Sequence, residues 1–278
     1  MKASHLILFA AALPGAAIAE MNLAALPSTK FDLSRDWAPK HYWKDRIERQ
    51  NAHIKSCSGV FDLVFIGDSI THNWEGWPED QWREVIARPG VAAKLPAGNC
   101  PGRACLERLK EMYSVLNLGI GGDTTGEVIW RIRYGRQLAG YKARCIMLMI
   151  GTNNREENPA DVAAGIRVIL DEITARQPDA VVALLAIFPR GSDPSDKRRV
   201  RNDKVNEIIH GFADGRRIVW VDFNRRFLDG EGRVKKSLMP DFLHPNEAGY
   251  EIWTESVLPV FEAACGKRNI NHNGGKTK

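Results

Sequence analysis

Five short apolar runs, separated by longer stretches, constrain the fold of this 278-residue chain more than any other feature. Within a run the apolar residues are not interrupted by regular polar alternation, which predicts strands covered on both faces, as in a parallel sheet. The runs read FDLVFIG, VLNLG, CIMLMIG, VVALLAI and IVWVD. Because helix-like stretches lie between them, we predict an α/β fold with a central parallel sheet of about five strands and helices on both faces.

Three of the other stretches show where the main helices should lie. The segment WKDRIERQNAHIK precedes the first apolar run. Asn158–Arg176 begins with Asn followed by Pro at the first helical position, and its apolar residues recur at helical spacing. Asn246–Ala264 follows the last loop. There is no internal repeat and no sign of a second domain, so the length is that of one large α/β domain.

The basic residues give no sign of a nucleic-acid partner. The chain carries 39 Lys and Arg against 34 Asp and Glu, which is a small excess. Its densest basic cluster, KRRVR at 197–201, opens a helical pattern whose apolar face would consist of Val205, Ile208, Ile209 and Phe212. We therefore interpret the cluster as a solvated helix face and expect no binding to nucleic acid.

The two ends of the chain differ from the middle. Residues 1–19, MKASHLILFAAALPGAAIA, have the plan of a secretory signal peptide with an A-x-A cleavage motif, although a buried N-terminal helix is the alternative. The apolar run is too short for a permanent transmembrane helix. We therefore predict a signal peptide (1–19), a linker (20–36), the α/β domain (37–265) and a disordered tail (266–278). The mature protein should be exported to the periplasm or the extracellular space without stable membrane insertion.

Export would place the cysteines in an oxidising compartment, where disulfides can form. The chain has five of them: Cys57, Cys100, Cys105, Cys145 and Cys265. Cys145 is most simply a buried apolar residue, whereas Cys100 and Cys105 flank the turn-forming sequence PGRA and could close a small loop. The connection between Trp77 and Tyr113 is unusually long, and we interpret it as a helix plus an elaborated surface loop.

Polar residues follow several of the predicted strands. Asp68 and Ser69 follow the first run, the glycine-rich sequence NLGIGGD contains the end of the second, and Asn153 follows the third. Asp241 and His244 lie in the last connection, in the sequence DFLHP. Because ligands bind beyond the carboxyl ends of the strands in an open parallel sheet, these distant residues should meet at one edge.

The chemistry of these residues is complementary. Ser69 becomes a nucleophile only when a base removes its proton, and His244 can supply that base. Asp241, three residues earlier, would fix the imidazole tautomer and stabilise the imidazolium. The backbone N–H groups of Ser69 and Gly122 and the side-chain amide of Asn153 are suited to donate hydrogen bonds to a developing oxyanion. The set predicts acyl transfer through a serine nucleophile.

Each motif alone also has an ordinary structural interpretation. The glycines of GIGGD can serve a tight turn, Asn153 can cap the helix before Pro159, and His244 can belong to a helix-start loop. A phosphate cradle at GIGGD would lack the lysine of a P-loop, and a metal site at Asp241 and His244 has no evident third ligand. The joint occurrence of the motifs, in order and at strand ends, favours catalysis without a metal or a cofactor.

The same four blocks resemble those of the SGNH (GDSL) hydrolase superfamily. They are GDS at Ser69, NLGIGGD at Gly122, GTNN at Asn153 and DFLH at Asp241–His244, and the resemblance covers roughly residues 61 to 265. Within the superfamily, the sequences NLGIGGDTT, VIWRIRYG, RQPDA and PRG are similar to the catalytic subunits of the intracellular platelet-activating factor acetylhydrolase group.

That resemblance implies a three-layer, flavodoxin-like sandwich and a metal-free serine esterase that forms a homodimer. The triad would be Ser69, Asp241 and His244, and the acyl pocket would be lined by Ile70, Thr152 and Leu243, whose side chains would restrict it to short acyl chains.

We therefore expect a secreted esterase that removes short acyl groups, chiefly acetyl, from carbohydrates or other small esters. One alternative is a platelet-activating-factor-type phospholipid acetylhydrolase, or a broader lipase or thioesterase. Another is a carbohydrate-binding protein on a catalytically dead hydrolase fold. The joint presence of Ser, Gly, Asn, Asp and His argues against the latter, because a dead site has no chemical need for all five.

Overall fold

All five apolar runs form strands of one parallel sheet. The computed structural model describes residues 22–31, 35, 37–57, 59–90, 98–154 and 157–267. The strands are β1 (Val60–Gly67), β2 (Val115–Asn117), β3 (Lys142–Met149), β4 (Val181–Leu185) and β5 (Ile218–Val221). They pair in the order β2-β1-β3-β4-β5, which confirms the predicted sheet. The order reverses between β1 and β3, and such a reversal opens a crevice at the carboxyl ends of the strands.

Helices cover both faces of the sheet. The described residues contain eight α-helices: α1 (Tyr42–Ser56), α2 (Ser69–His72), α3 (Glu79–Ile86), α4 (Arg103–Met112), α5 (Thr125–Arg133), α6 (Pro159–Arg176), α7 (Lys197–His210) and α8 (Glu247–Cys265). The three helices predicted from periodicity are α1, α6 and α8, and their observed ends lie within one residue of the predicted ends. Asn158 caps α6, with its side chain accepting a hydrogen bond from Asp161 N at 3.0 Å.

Two apolar clusters, one on each face of the sheet, explain the lack of alternation in the strands. On one face Ile146 and Leu148 of β3 pack with residues of α5, α6 and α7. On the other face Cys145, Met147 and Met149 pack with residues of α4 and α8. Neighbouring residues of a strand point to opposite faces, so a strand covered on both sides must be apolar throughout. The result is the predicted three-layer sandwich.

The basic cluster at the start of α7 corrects one prediction. The cluster is not a wholly solvated face, because Arg199 and Arg201 are buried. Arg201 Nη2 donates to Thr152 O at 3.1 Å, in the loop that follows β3. The apolar face is also narrower than predicted: Ile209 is buried, whereas Ile208 is 40% exposed, since successive helical residues are rotated by about 100°.

The N-terminal segment, defined here as residues 22–31, falls within the predicted linker and packs against α5 and α6. Ser28 N donates to Gly126 O at 3.0 Å. Two glycines permit the close approach, because a Cβ at Gly126 would lie 2.5 Å from Ser28 Oγ and one at Gly165 would lie 2.3 Å from Ala24 O. The predicted signal peptide and the tail from residue 268 onwards lie outside the described residues.

The long connection after Trp77 contains two helices, α3 and α4, rather than the one expected. All five cysteines are free thiols, so Cys100 and Cys105 do not close a loop, and Cys145 is buried as expected. Within the part of the chain that the structure describes, no helix is both long and apolar enough to cross a bilayer.

Replacing Gly165 tests the packing of the N-terminal segment against α6. Alanine favours a helix over glycine by up to about 1 kcal/mol. We nevertheless expect Gly165→Ala to lower the free energy of unfolding by roughly 1–3 kcal/mol, because the new methyl group overlaps Ala24 O. The measurement is urea unfolding followed by circular dichroism. Gly230→Ala is the matched control, since a Cβ there meets nothing within 4 Å. A Gly165→Ala protein as stable as the wild type would contradict the packing.

Candidate active site

The turn after β1 places Ser69 at the carboxyl edge of the sheet. Gly67 is needed there, because a Cβ would lie only 2.1 Å from Thr71 Oγ1. Asp68 caps the short helix α2 by accepting a hydrogen bond from Ile70 N at 2.9 Å. Ser69 is therefore the first residue of α2, and its hydroxyl group is partly exposed at the crevice.

Ser69, His244 and Asp241 form a continuous hydrogen-bonded chain. Ser69 Oγ lies 2.9 Å from His244 Nε2, although the two residues are 175 positions apart in sequence. His244 Nδ1 lies 2.6 Å from Asp241 Oδ2. With the Nδ1 proton directed at the carboxylate, Nε2 is free to accept the proton of the serine hydroxyl. This is the arrangement that activates a serine nucleophile.

The sequence between Asp241 and His244 explains how residues so close in the chain can face each other. Asp241 Oδ1 accepts hydrogen bonds from Leu243 N at 3.1 Å and from His244 N at 2.8 Å, which makes a tight aspartate turn. Phe242 adopts φ +56° within it. One carboxylate oxygen thus holds the backbone turn, and the other is left to bind the imidazole.

The pKa of Asp241 lies below its ordinary value. Burial by itself raises the pKa, but the hydrogen bond and charge of His244 and the two backbone N–H groups outweigh that effect. The carboxylate therefore stays ionised in neutral and mildly acidic solution. An ionised carboxylate at this position favours the imidazolium that forms when His244 takes a proton.

The loop after β2, residues 118–123, lies beside this chain and is held by side chains from distant elements. Gly122 adopts φ +78°, where a residue with a Cβ would be strained. Successive backbone groups of the loop are bound by different side chains: Leu118 O by Arg131, Gly119 O by Arg46, Gly121 N by His72, Gly122 O by Lys30 and Asp123 O by Asn153. The five bonds fix the loop at both ends and in the middle.

Asp123 is the buried anchor of the 118–123 loop. Its carboxylate is wholly buried and forms ion pairs with Arg131 at 2.9 Å and with Lys30 at 3.3 Å. Trp43 Nε1 donates to the same carboxylate at 2.8 Å. Lys30 also reaches Glu127 at 3.0 Å, so two cations and two carboxylates balance one another in the interior. Buried charges are tolerated only when they are paired in this way.

His72 holds the same loop as a neutral donor and acceptor. Its Nδ1 accepts from Gly121 N at 3.3 Å, and its Nε2 lies 3.1 Å from Gly76 O, to which it must donate. Burial, followed by the charge of Arg46, lowers the pKa of His72 well below its ordinary value. The imidazole therefore stays neutral, and its two backbone partners fix the remaining proton on Nε2.

Asn153 lies next to the loop, and its amide has a structural partner. Asn153 Nδ2 donates to Asp123 O at 3.0 Å, which uses one of its two N–H bonds. The cap of α6 is Asn158, so the interpretation of Asn153 as that cap is wrong. Asn153 thus joins the loops that follow β2 and β3, at the place where the sequence predicts an oxyanion donor.

Of the three residues predicted to line the acyl pocket, two pack in or against an apolar cluster and the third is held by hydrogen bonds. Ile70 is 1% exposed and belongs to the apolar cluster under α8, and Leu243 packs against the same cluster. Thr152 is 2% exposed, and its hydroxyl group accepts hydrogen bonds from Arg190 at 3.0 Å and from Asn202 at 3.2 Å. Ile70 and Thr152 therefore offer little surface to a long acyl chain.

Sequence reasoning missed the residues that support the site: Lys30, Arg46, His72, Arg131 and Arg190. Each contacts backbone from a remote part of the chain. Arg131 and Arg190 lie in the sequences VIWRIRYG and PRG, which carry part of the resemblance, but nothing in those sequences indicated a supporting role. Arg46 lies in a predicted helix, where a cation is ordinarily solvated.

Asp68 supplies a prediction on pH and stability. Burial raises its pKa to about 6, with smaller opposing effects from Ile70 N and His244. In the unfolded chain the pKa of an aspartate is about 3.9. The protonated Asp68 carboxyl group therefore makes its full contribution to the free energy of unfolding below pH 3.9, and this contribution is lost as the pH rises through 6. A difference of about two units between the folded and unfolded pKa values corresponds to roughly 3 kcal/mol. Asp68→Asn, which keeps the acceptor for Ile70 N, should stabilise the protein by about that amount at pH 8 and hardly at pH 4.

Urea unfolding at several pH values measures the difference. Asp179→Asn, at an exposed position, is the matched control for the loss of one carboxylate. An Asp68→Asn variant with the same stability difference from the wild type at pH 4 and pH 8 would exclude a raised pKa for Asp68.

Comparison with known proteins identifies a family and relatives that align with most of the chain. Residues 65–252 match the model of the GDSL-like lipase/acylhydrolase family. Platelet-activating factor acetylhydrolase IB subunit alpha2 from Rattus norvegicus is 30% identical over 235 residues, which cover 83% of this chain and 86% of that protein.

Solved structures share the fold. A GDSL-like lipase from Bacteroides thetaiotaomicron has a TM-score of 0.54 at 18% identity, covering 78% of this chain and 98% of the other. An acetylxylan esterase from Geobacillus stearothermophilus has a TM-score of 0.51 at 21% identity, covering 72% and 93%. The matched segment contains the serine, the glycine loop, the asparagine and the Asp–His pair, and the chain belongs to the GDSL-like lipase/acylhydrolase family of ester hydrolases.

Proposed function

We propose that the protein is an exported serine esterase that removes short acyl groups, above all acetyl, from small or carbohydrate esters. The observation that carries this proposal is the hydrogen-bonded chain from Ser69 through His244 to Asp241, next to a loop fixed by buried side chains. The distance of 2.9 Å between Ser69 Oγ and His244 Nε2 is within the range that proton transfer requires.

In the proposed mechanism His244 Nε2 takes the hydroxyl proton as Ser69 Oγ attacks the ester carbonyl carbon. The carbonyl oxygen becomes an oxyanion, which the N–H groups of Ser69 and Gly122 and the free N–H of Asn153 would stabilise. His244 then gives the proton to the leaving alcohol, and an acyl-serine is formed. Water attacks this ester by the same steps in reverse order, which releases the acid and restores Ser69. One oxyanion donor contributes about 3–4 kcal/mol in a comparable hydrolase.

The preference for short acyl groups is supported by the burial of Ile70 and Thr152. A pocket bounded by these two side chains and Leu243 would hold few carbon atoms. The hydroxyl of Thr152 is held by Arg190, which is itself buried, so the wall is not free to move aside. Packed side chains that cannot move aside exclude longer acyl chains by steric overlap, which discriminates between substrates by size.

Two substrate classes share this acyl group and differ in the alcohol. The structural neighbours include an acetylxylan esterase, which supports an acetylated carbohydrate as the substrate. The relatives in sequence are named for platelet-activating factor, which supports an acetylated phospholipid instead. We place the carbohydrate or small ester first, because residues 1–19 have the plan of an export signal.

Sequencing of the secreted protein should give an N-terminus near Glu20. The resemblance to dimeric subunits also leads us to propose a homodimer, which light scattering measures.

Substitution of Ser69 tests the catalytic proposal against the non-catalytic one. Ser69→Ala should abolish hydrolysis of p-nitrophenyl acetate and leave the melting temperature unchanged, because the change removes one oxygen from a partly exposed side chain. Ser237→Ala, at an exposed serine, is the matched control. A Ser69→Ala protein within tenfold of the wild-type rate would remove Ser69 as the nucleophile.

A substrate panel tests the proposed specificity on the wild-type protein. We expect kcat/KM to fall steeply from p-nitrophenyl acetate to butyrate and palmitate, and acetylated xylose oligomers to be hydrolysed faster than an acetylated glycerophospholipid. The reverse order for the last two substrates would favour the phospholipid. Undiminished hydrolysis of palmitate would contradict the short acyl pocket.

Asn153→Ala should lower kcat by about 10²–10³ with a smaller change in KM, since an oxyanion donor acts mainly in the transition state. Single-turnover and steady-state kinetics on p-nitrophenyl acetate separate the two constants. A change confined to KM would make Asn153 a substrate-binding residue instead.

Lys30→Met tests whether the N-terminal segment supports catalysis. Loss of the Nζ donor to Gly122 O should let the loop shift and lower kcat by roughly ten- to a hundredfold. The single change also leaves a carboxylate uncompensated, at a cost of about 3–5 kcal/mol. The double variant Lys30→Met/Glu127→Gln restores the charge balance, so it should recover stability and not kcat. Wild-type kcat in the double variant would show that Lys30 has only a structural role.

A further inference from the structure

A second cavity lies away from the catalytic residues, along the outer edge of strand β2. This edge cavity has a volume of about 630 Å³ and runs between helices α1 and α4. Its floor is largely apolar, formed in part by Leu106, Tyr113 and Leu116. Ser69, Asp241 and His244 do not line it, so it is not the crevice in which the ester would bind.

The charged side chains around the edge cavity are mostly cationic. Arg46 and Arg49 of α1 and Arg103 and Lys110 of α4 line it, together with one carboxylate, that of Glu75. That carboxylate is already paired with Arg46 at 3.0 Å. The positive charges on the walls therefore exceed the negative charge available to them within the cavity.

Arg49 is the cation whose hydrogen bonds are least complete. Its Nη2 atom is buried and has no hydrogen-bond partner among the described residues. A buried donor without an acceptor costs about 1–3 kcal/mol, and more when it is charged. The charge of Arg49 also contributes to lowering the pKa of Arg46, after burial, to about 10. An acceptor with a negative charge would relieve both the missing hydrogen bond and the repulsion.

Arg103 and Lys110 have other partners, but both side chains retain hydrogen-bond donors that are available to a ligand. Arg103 Nη2 donates to the backbone carbonyl of Glu75 at 3.3 Å, which leaves most of its guanidinium donors. Lys110 contacts Glu107 at 3.1 Å in an exposed pair, which is weak in water. The two walls thus present donors on opposite sides of an apolar floor.

We propose that the edge cavity binds a small organic anion, whose phosphate or carboxylate group is held by Arg49 and whose apolar part lies on Leu106, Tyr113 and Leu116. A guanidinium group matches either oxyanion with paired hydrogen bonds. The apolar floor gives an aromatic or aliphatic anion an advantage over an inorganic one. This site is independent of the proposed esterase reaction.

Calorimetric titration with phenyl phosphate, benzoate and inorganic phosphate tests the proposal at constant ionic strength. Wild-type protein should bind phenyl phosphate or benzoate more tightly than inorganic phosphate, and the tighter of the first two identifies the anionic group. Arg49→Gln should weaken the binding at least tenfold, and Arg49→Lys should recover part of it, because lysine keeps the charge without the paired donors. Arg83→Gln, at an exposed arginine of α3, is the matched control and should bind as the wild type does.

Arg49 is the chosen position because Arg46 also donates to Gly119 O at 2.7 Å and supports the 118–123 loop. Arg49→Gln should therefore hydrolyse p-nitrophenyl acetate at the wild-type rate. Equal affinity in the wild type and Arg49→Gln would overturn the proposal, as would heat effects that sodium chloride reproduces. Displacement of phenyl phosphate by a short ester would place the anion in the catalytic crevice and would also overturn it.

Discussion

The ion group at Asp123 is the interaction on which the arrangement of the site depends. A wholly buried carboxylate is accepted there because Lys30, Arg131 and Trp43 approach it from three different parts of the chain. Exchanging such a group for apolar residues is often neutral for stability. Its effect here is positional: it joins the N-terminal segment, α1 and α5 to the 118–123 loop, which lies beside Ser69.

The parallel sheet determines where this loop and the predicted catalytic residues meet. β1 and β2 end side by side, so the turn at Ser69 and the glycine turn are neighbours, and β3 brings Asn153 to the same edge. His244 arrives from the far end of the chain, and α8 packs under the site, with Tyr250 donating to Ile70 O at 2.5 Å. The strands supply the rigid frame, and short turns at their carboxyl ends carry the reactive groups.

The sequence was sufficient for the sheet, the main helices and the residues with reactive side chains, because each follows from a local pattern. Unalternated runs predict buried strands, and Asn158-Pro159 predicts the start of α6. The support of the site was not predictable in the same way. Lys30 lies in a stretch without periodicity, and Arg201 sits in a basic cluster that looks solvated, yet both are buried against backbone carbonyl groups 47 to 92 residues away. Hydrogen bonds between positions so far apart leave no periodic signal.

Five of the buried cations share one feature: each binds a backbone carbonyl group at the carboxyl edge of the sheet. Lys30, Arg46 and Arg131 bind the loop after β2, and Arg190 and Arg201 bind the loop after β3. Carboxylates pair with Lys30, Arg46 and Arg131, so the five cations act chiefly by fixing the two loops in place before any substrate arrives. Backbone donors held in this way would stabilise a developing oxyanion without reorganisation at the moment of reaction. Burial nevertheless raises the pKa of the Asp68 and Asp123 carboxyl groups, whereas the contacts with His244 and two backbone N–H groups lower that of Asp241, so of these three carboxylates only Asp241 is favoured in its ionised form.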